Sequence, residues 1–401
     1  MGGVILPAAA WRDHPGLKRV VDALGPGNAR IVGGAVRDTL LGIDTADIDL
    51  ATTHAPDAVV DLLEAARIKA VPTGIKHGTI TAVASDAVYE VTTLRRDLET
   101  DGRHATVAFT DDWREDAARR DFTINALYAD PVSGDVFDYF DGIADLEARR
   151  VRFIGDPLTR IAEDHLRILR FFRFLARFGD EPDPDGLKAC TDRANDLMAL
   201  SRERIANELL RLLVAPRAPE VVALMLERGI FAPVLPEIGN LDRFVRTVRR
   251  EERTQRLYNA LLRLVSLVPT NTVESVGARL KLSNADRKRM LTAAEPLKTA
   301  NAKELRYRLG AVGAHDQILL ADLTEGAVDR MLAEIDAWTV PTFPMSGGQL
   351  VAKGLTAGPD VARTLHKIED RWIAEGFPDA DRVAAIADDE VAQLLADIRK
   401  S

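Results

Sequence analysis

The stretch RIVGGAVRDTLLGIDTADIDLAT, Arg30 to Thr52, brings two adjacent glycines, an arginine and two closely spaced aspartates into one short span. A strand over ADIDLAT sends alternate side chains to opposite faces, so Asp47 and Asp49 share one face while Ile48 and Leu50 point into a core. Two carboxylates side by side repel unless a cation sits between them. Hard oxygen ligands favour Mg²⁺, which takes one or two protein carboxylates and completes its shell with water and substrate phosphates. Upstream, Gly33 and Gly34 let a phosphate approach backbone N–H groups, aided by the start of the helix that follows. Arg37, one turn into that helix, can add a charge-assisted bond. Singly, the glycines read as a tight turn and the aspartates as a solvated strand end; together they point to metal-dependent nucleotidyl transfer.

Further along, YEVTTLR is another alternating strand, from which Glu90 can reach the same metal as a third carboxylate or simply face solvent. In REDAARRDFTINALYADP, Arg120 can pair with a triphosphate while Asp121 orients it or caps the next helix. LTRIAEDHLRILRFFRFLARF reads as one amphipathic helix. At about 100° per residue, Ile161, His165, Ile168, Phe172 and Leu175 fall on one face and Asp164, Arg167, Arg170 and Arg173 on the other. A merely solvated face would mix lysine with glutamate. An acid followed by regularly spaced arginines suits recognition: a carboxylate and a guanidinium can read the edge of a base, and later arginines can hold phosphates. His165, on the apolar side, reads as core.

These residues need a scaffold, and 401 residues with 46% hydrophobic content suffice for two or more domains. Residues 28 to about 150 mix strand-like and helical runs, whereas beyond Asp156 the pattern is of long amphipathic helices. Proline and glycine near Pro182 to Gly186, Pro216, Pro269 and Pro341 to Gly348 mark candidate boundaries. No long apolar run and no secretory leader are evident, so a cytoplasmic location without membrane contact is expected. The single cysteine, Cys190, excludes an intramolecular disulfide and a cysteine-based zinc site and reads as packing. A net charge of -9 argues against a uniformly basic coat, not against a local basic surface.

GGAVRDTLLG...DIDLAT, RRDFTINALYADP and EDHLRILRFFRF strongly resemble the bacterial class II CCA-adding tRNA nucleotidyltransferases, with poly(A) polymerases as close kin. The resemblance runs from about Arg30 to Gly179 and returns weakly in PMSGGQLVAKGLTAGPDVARTL. It implies an α+β fold: a nucleotidyltransferase head with a β-sheet (1–150), then an all-helical neck (151–215), body (216–310) and RNA-binding tail (311–401). It implies further that Asp47 and Asp49 bind two Mg²⁺ ions, that Gly34, Arg37 and Arg120 hold the incoming triphosphate, and that Asp164 and Arg167 read the base of CTP or ATP, with Arg170 and Arg173 beside them. The RNA 3′-hydroxyl would attack the α-phosphorus and release pyrophosphate, with no nucleic-acid template. No protein partner is expected.

The tRNA 3′ acceptor end needs cations. RFVRTVRREERTQR gathers Arg246, Arg249, Arg250 and Arg253 at helical spacing with Glu251 to the side, and Lys281, Arg287, Lys288 and Arg289 follow; a salt-bridged helix is the plain alternative. Some relatives carry a phosphohydrolase domain marked by an HD doublet. Here His315 and Asp316 stand far from the nearest upstream histidine, His165, and read as a surface feature. Rival readings are a poly(A) polymerase, disfavoured by the acidic C-terminal stretch, a partial CC-adding or A-adding enzyme, and an inactive RNA-binding relative, against which Asp47, Asp49 and Arg120 stand intact.

Overall fold

The computed structural model describes residues 3–398 apart from 46, 75–77, 86, 101–104 and 257. The chain divides into two compact units, Met1–Met290 and Leu291–Ser401. The boundaries expected at 150 and 215 therefore fall inside the first unit. The reason is physical: the Arg167–Phe178 helix is bonded into the sheet-bearing region, with Arg170 paired to Asp121 at 2.5 Å and Phe171 packed near Phe122.

The first unit carries a seven-stranded mixed sheet. Its strands are β1 (Ala29–Val32), β2 (Asp49–Thr52), β3 (Lys69–Gly74), β4 (Thr79–Ala84), β5 (Ala87–Thr93), β8 (Leu127–Ala129) and β9 (Val136–Asp138), in the order β3-β4-β5-β2-β1-β8-β9. β6 (Arg95–Thr100) and β7 (Ala105–Phe109) form a separate hairpin. β2 and β5 run parallel, with Asp49 opposite Glu90, and the other pairs of the large sheet are antiparallel. One core cluster joins Val32 and Ala51 on the strands to Leu94, Ala117, Tyr128 and Ile154, with Trp113 and Phe137 against it.

Gly33 links β1 to the Gly34–Leu40 helix with φ 71°, a conformation that a side chain disfavours, and its N–H donates to Leu127 O at 3.0 Å. Glycine is thus required by the turn itself. Beyond Asp156 the first unit is helical apart from the short strand Glu181–Pro182, which pairs in parallel with Arg150–Val151, and the second unit is helical around Leu350, Ile368, Trp372, Val383 and Ile386. The α+β architecture matches the expectation.

Candidate active site

The carboxylates stand at the edge of β2. Ile48 and Leu50 are buried, whereas Asp47 and Asp49 are exposed. The strand itself begins only at Asp49, so Asp47 precedes it, and the in-out alternation expected from ADIDLAT runs from Asp47 to Leu50 before Ala51 and Thr52, both buried, end it. Partial burial pushes the Asp49 carboxyl above its ordinary range, and the charges of Glu90 and Asp47 add to this against the opposing Arg120. Such a concentration of negative charge is what a hard cation relieves. Among the described residues no three histidine, cysteine or acidic side chains converge into a metal cage. Glu90 sits beside Asp49 across the strand pair but does not line the cleft. A metal here would take Asp47 and Asp49 and fill its remaining positions from phosphate and water, which fits Mg²⁺ better than a cation needing a full protein cage.

A cavity of about 730 Å³ opens beside these carboxylates, lined among others by Gly33, Gly34, Arg37, Arg120, Asp121, Asp164, Arg167 and Arg170. A side chain at Gly33 would stand 3.5 Å from Arg120 Nη1, and one at Gly34 3.7 Å from Arg37 Nη2. The bare glycine backbone thus lies between two guanidiniums, an arrangement suited to phosphate. Arg37 is almost buried, donating to Asp38 at 2.7 Å and to Asn125 Oδ1 at 2.5 Å.

Arg120 is held by a residue that sequence reasoning missed. Asp116, 1% exposed, accepts from Arg120 Nη2 (3.2 Å), Arg119 Nε (2.8 Å), the Tyr128 hydroxyl (2.6 Å) and Arg95 N (3.2 Å). Burial pushes its carboxyl up, but Arg120, Arg119 and the Tyr128 hydroxyl outweigh that and draw it down to about 2. The signal was present: Asp116 precedes Arg119 and Arg120 by three and four residues, the spacing at which helical side chains meet.

The arginine-bearing segment is not one helix. A first helix, Pro157–Glu163, is capped by Asp156, whose side chain accepts from Thr159 N, and stops at Asp164. There the backbone is extended (φ -151°, ψ 107°), and Asp164 Oδ1 accepts from Leu166 N before Arg167–Phe178 begins. This local bond competes with the helical ladder. The break leaves Asp164 and Arg167 both on the cleft, joined by the Arg167 N–H to Asp164 O at 3.0 Å but with their side chains on different partners. Asp164 Oδ2 takes Arg204 Nη2 at 2.7 Å; Arg167 Nη1 takes Glu163 Oε2 at 2.5 Å and Arg160 O at 2.9 Å.

Asp121 accepts from Arg170, Asn125 Nδ2 and Phe122 N. Burial raises its carboxyl, yet Arg170, Asn125 and that N–H together hold it below the ordinary range. Arg173 departs from expectation: it is 9% exposed, bonded to Glu208 Oε2 at 2.5 Å, and absent from the cleft lining. Because Glu208 is itself buried, the pair fastens two helices together, Arg167–Phe178 and Arg202–Leu213. His165 is part-buried with Nδ1 3.0 Å from Ile161 O, and Cys190 is buried with its thiol pushed up by desolvation, as packing roles require.

On the Leu241–Arg253 helix, Arg249 and Arg253 are exposed and Arg246 half-buried, but Arg250 is 1% exposed and belongs to the core. Arg250 cannot join an RNA-facing patch. Glu251 is buried too, paired with Arg263 at 2.6 Å. Of the later basic residues, Lys281 bonds Glu203 and Arg287 bonds Glu274. The HD doublet is less superficial than its sequence suggested, since Asp316 is buried and His315 lies 2.9 Å from Asp336. No helix among the described residues is long and apolar enough to cross a membrane.

Carboxylates at a strand edge, a glycine turn between guanidiniums, and an acid and an arginine lining the same cleft are the parts that nucleotidyl transfer requires. Comparison with known proteins agrees. Residues 29–152 match the poly A polymerase head domain, and 181–241 match the probable RNA and SrmB-binding site of polymerase A. The chain is 36% identical over 382 residues to mitochondrial CCA tRNA nucleotidyltransferase 1 of Mus musculus, covering 90% of this chain and 87% of the relative. It is 32% identical over 390 residues to the CCA-adding enzyme of Limosilactobacillus fermentum, covering 92% and 94%. The Bacillus stearothermophilus CCA-adding enzyme in complex with CTP superposes with a TM-score of 0.76 at 26% identity, over 96% of this chain and 100% of that one. The chain belongs to the CCA-adding tRNA nucleotidyltransferase family.

Proposed function

We propose that this protein adds C, C and A to the 3′ end of tRNA from CTP and ATP. The observation that carries the reading is the single cleft in which Asp47 and Asp49, the Gly33–Gly34 turn and the Asp164 and Arg167 side chains all face one cavity. Similarity to CCA-adding relatives across 90% of the chain favours this over a poly(A) polymerase, whose matched regions end at residue 241.

A divalent ion would be held by Asp47 and Asp49, and their oxygen donors favour Mg²⁺. When bound, such an ion neutralises triphosphate charge and acidifies the attacking 3′-hydroxyl. The protein's own residues do the positioning. Backbone N–H groups at the glycine turn and the Arg120 guanidinium hold the phosphates; Arg37 supports them from the first turn of its helix. Asp164 and Arg167 offer an acceptor and a donor to the base edge, the protein standing in for a template. Asp121 and Arg170 keep that wall in place. Glu90 reinforces the negative potential at Asp49 from the neighbouring strand. Arg246, Arg249 and Arg253 are the exposed or half-exposed candidates for tRNA phosphates. Head (1–150), neck (151–215), body (216–310) and tail (311–401) are read as functional regions, although the boundary between the compact units falls inside the body, and the lone buried cysteine suits a cytoplasmic setting.

The test is incorporation of labelled CTP and of labelled ATP into a tRNA transcript lacking its CCA end, beside an unstructured RNA. Incorporation of CTP confined to tRNA supports the reading; adenosine tails on the unstructured RNA would overturn it.

A further inference from the structure

One end of the cleft carries more positive charge than its neighbours balance. Arg37 and Arg177 share Asp38, at 2.6 and 3.7 Å. Arg170 and Arg173 share Glu208, and Arg170 also has Asp121. Arg211 lines the cleft, is exposed, and has no hydrogen-bond or acidic partner for its guanidinium among the described residues. Buried Arg173 takes up Glu208 behind the lining, so at the cleft the guanidiniums of Arg37, Arg170, Arg177 and Arg211 draw mainly on Asp38 and Asp121. The crowding is felt at Arg37: burial lowers its pKa, and Arg177 and Arg173 lower it further against the opposing Asp38.

Position along the Arg167–Phe178 helix says which anion belongs there. Arg167 stands at its start, beside Asp164. Arg177 lies ten residues on, about 15 Å along the axis at 1.5 Å per residue. That is the scale of a nucleotide from base edge to terminal phosphate. Arg170 falls between, and Arg37 connects the far end to the glycine turn. Arg211 lines the same cavity from the Arg202–Leu213 helix, one turn beyond Glu208 and close enough to Arg173 for the two charges to be felt.

We propose that Arg177 and Arg211 form a terminal-phosphate subsite that binds the distal phosphates of either nucleotide and, after transfer, the leaving pyrophosphate. This rests on the nucleotidyl-transfer reading. When the RNA oxygen bonds to the α-phosphorus, the bond from that phosphorus to the bridging oxygen breaks and its electron pair leaves on pyrophosphate. Guanidiniums at the distal phosphates stabilise that departing charge without touching the base, so the subsite serves CTP and ATP alike.

The experiment combines calorimetric titration of the full chain with pyrophosphate in the presence of Mg²⁺ and steady-state kinetics, for the parent, Arg177→Gln/Arg211→Gln and Arg177→Lys/Arg211→Lys. The glutamine variant is expected to lose pyrophosphate affinity by about tenfold or more. KM for CTP and ATP rises by a common factor, KM for tRNA stays unchanged, and the lysine variant recovers part of the affinity. Unchanged pyrophosphate affinity overturns the proposal. So does a rise in KM for tRNA alone, which would make the arginines RNA contacts instead. Calorimetry needs no turnover, so a parent that binds pyrophosphate through these arginines yet fails to extend tRNA would sink the activity reading and leave the subsite standing.

Discussion

Asp116→Asn removes one charge and almost no volume from the point that anchors Arg119, Arg120 and Tyr128. In the parent the carboxyl falls from its ordinary 3.8 to about 2. At about 1.36 kcal/mol per tenfold change in proton affinity, the depression corresponds to about 2 kcal/mol. Because the folded value lies below the unfolded one, this stability is fully present above pH 4 and is lost as pH falls from about 4 to about 2. The variant should therefore be about 2 kcal/mol less stable than the parent at pH 7, and the gap should narrow through that acid window. Asp116→Ala, which leaves the half-buried guanidiniums of Arg119 and Arg120 without their anion and adds a void, should cost more than Asp116→Asn. Urea unfolding at a series of pH values measures both. In parallel, loosening Arg120 should raise KM for CTP and ATP together. A midpoint at pH 7 equal to the parent's, or a gap that does not narrow in acid, would refute the assignment of Asp116 as the electrostatic anchor.

Three other outcomes follow from the site. Asp49→Asn should abolish transfer while making the metal-free protein more stable at pH 7 by about 0.2–1 kcal/mol, since it relieves repulsion with Glu90 across the strands; a destabilised variant in thermal unfolding would contradict this. Arg167→Ala should lose discrimination among the four nucleotides by a factor corresponding to about 1–3 kcal/mol, with metal affinity retained; unchanged relative nucleotide use would refute base reading. Neutralising Arg246, Arg249 and Arg253 together should weaken tRNA binding and flatten its log-log salt slope by about 0.9 for each duplex phosphate no longer bound, sparing nucleotide binding; an unaltered slope in filter binding would leave the helix merely solvated.

The sequence disclosed most clearly what local periodicity governs. Ile48 and Leu50 could be assigned inward and Asp47 and Asp49 outward because a period of two needs only the next residue. Gly33 was legible as a turn because its backbone demands a positive φ. The break at Asp164 was hidden, since the apolar spacing runs straight through it and only an Asp able to bond Leu166 N gave a sign. Burial of charge was hidden too. Arg250 and Arg173 look like surface residues in a linear reading, and what buries Arg173 is Glu208, 35 residues away on a packed helix. Arg211 reaches the cleft by that same packing, which no local pattern encodes.

A cleft whose side chains read the base builds one defined trinucleotide without a nucleic-acid template. The direct measurement is sequencing of product ends after a tRNA transcript lacking CCA is incubated with CTP alone, ATP alone, and both. Two cytidines with CTP alone, no extended tail with ATP alone, and CCA followed by arrest with both are expected. Adenosine runs of indefinite length, mixed nucleotides at the end, or no extension at all would contradict it.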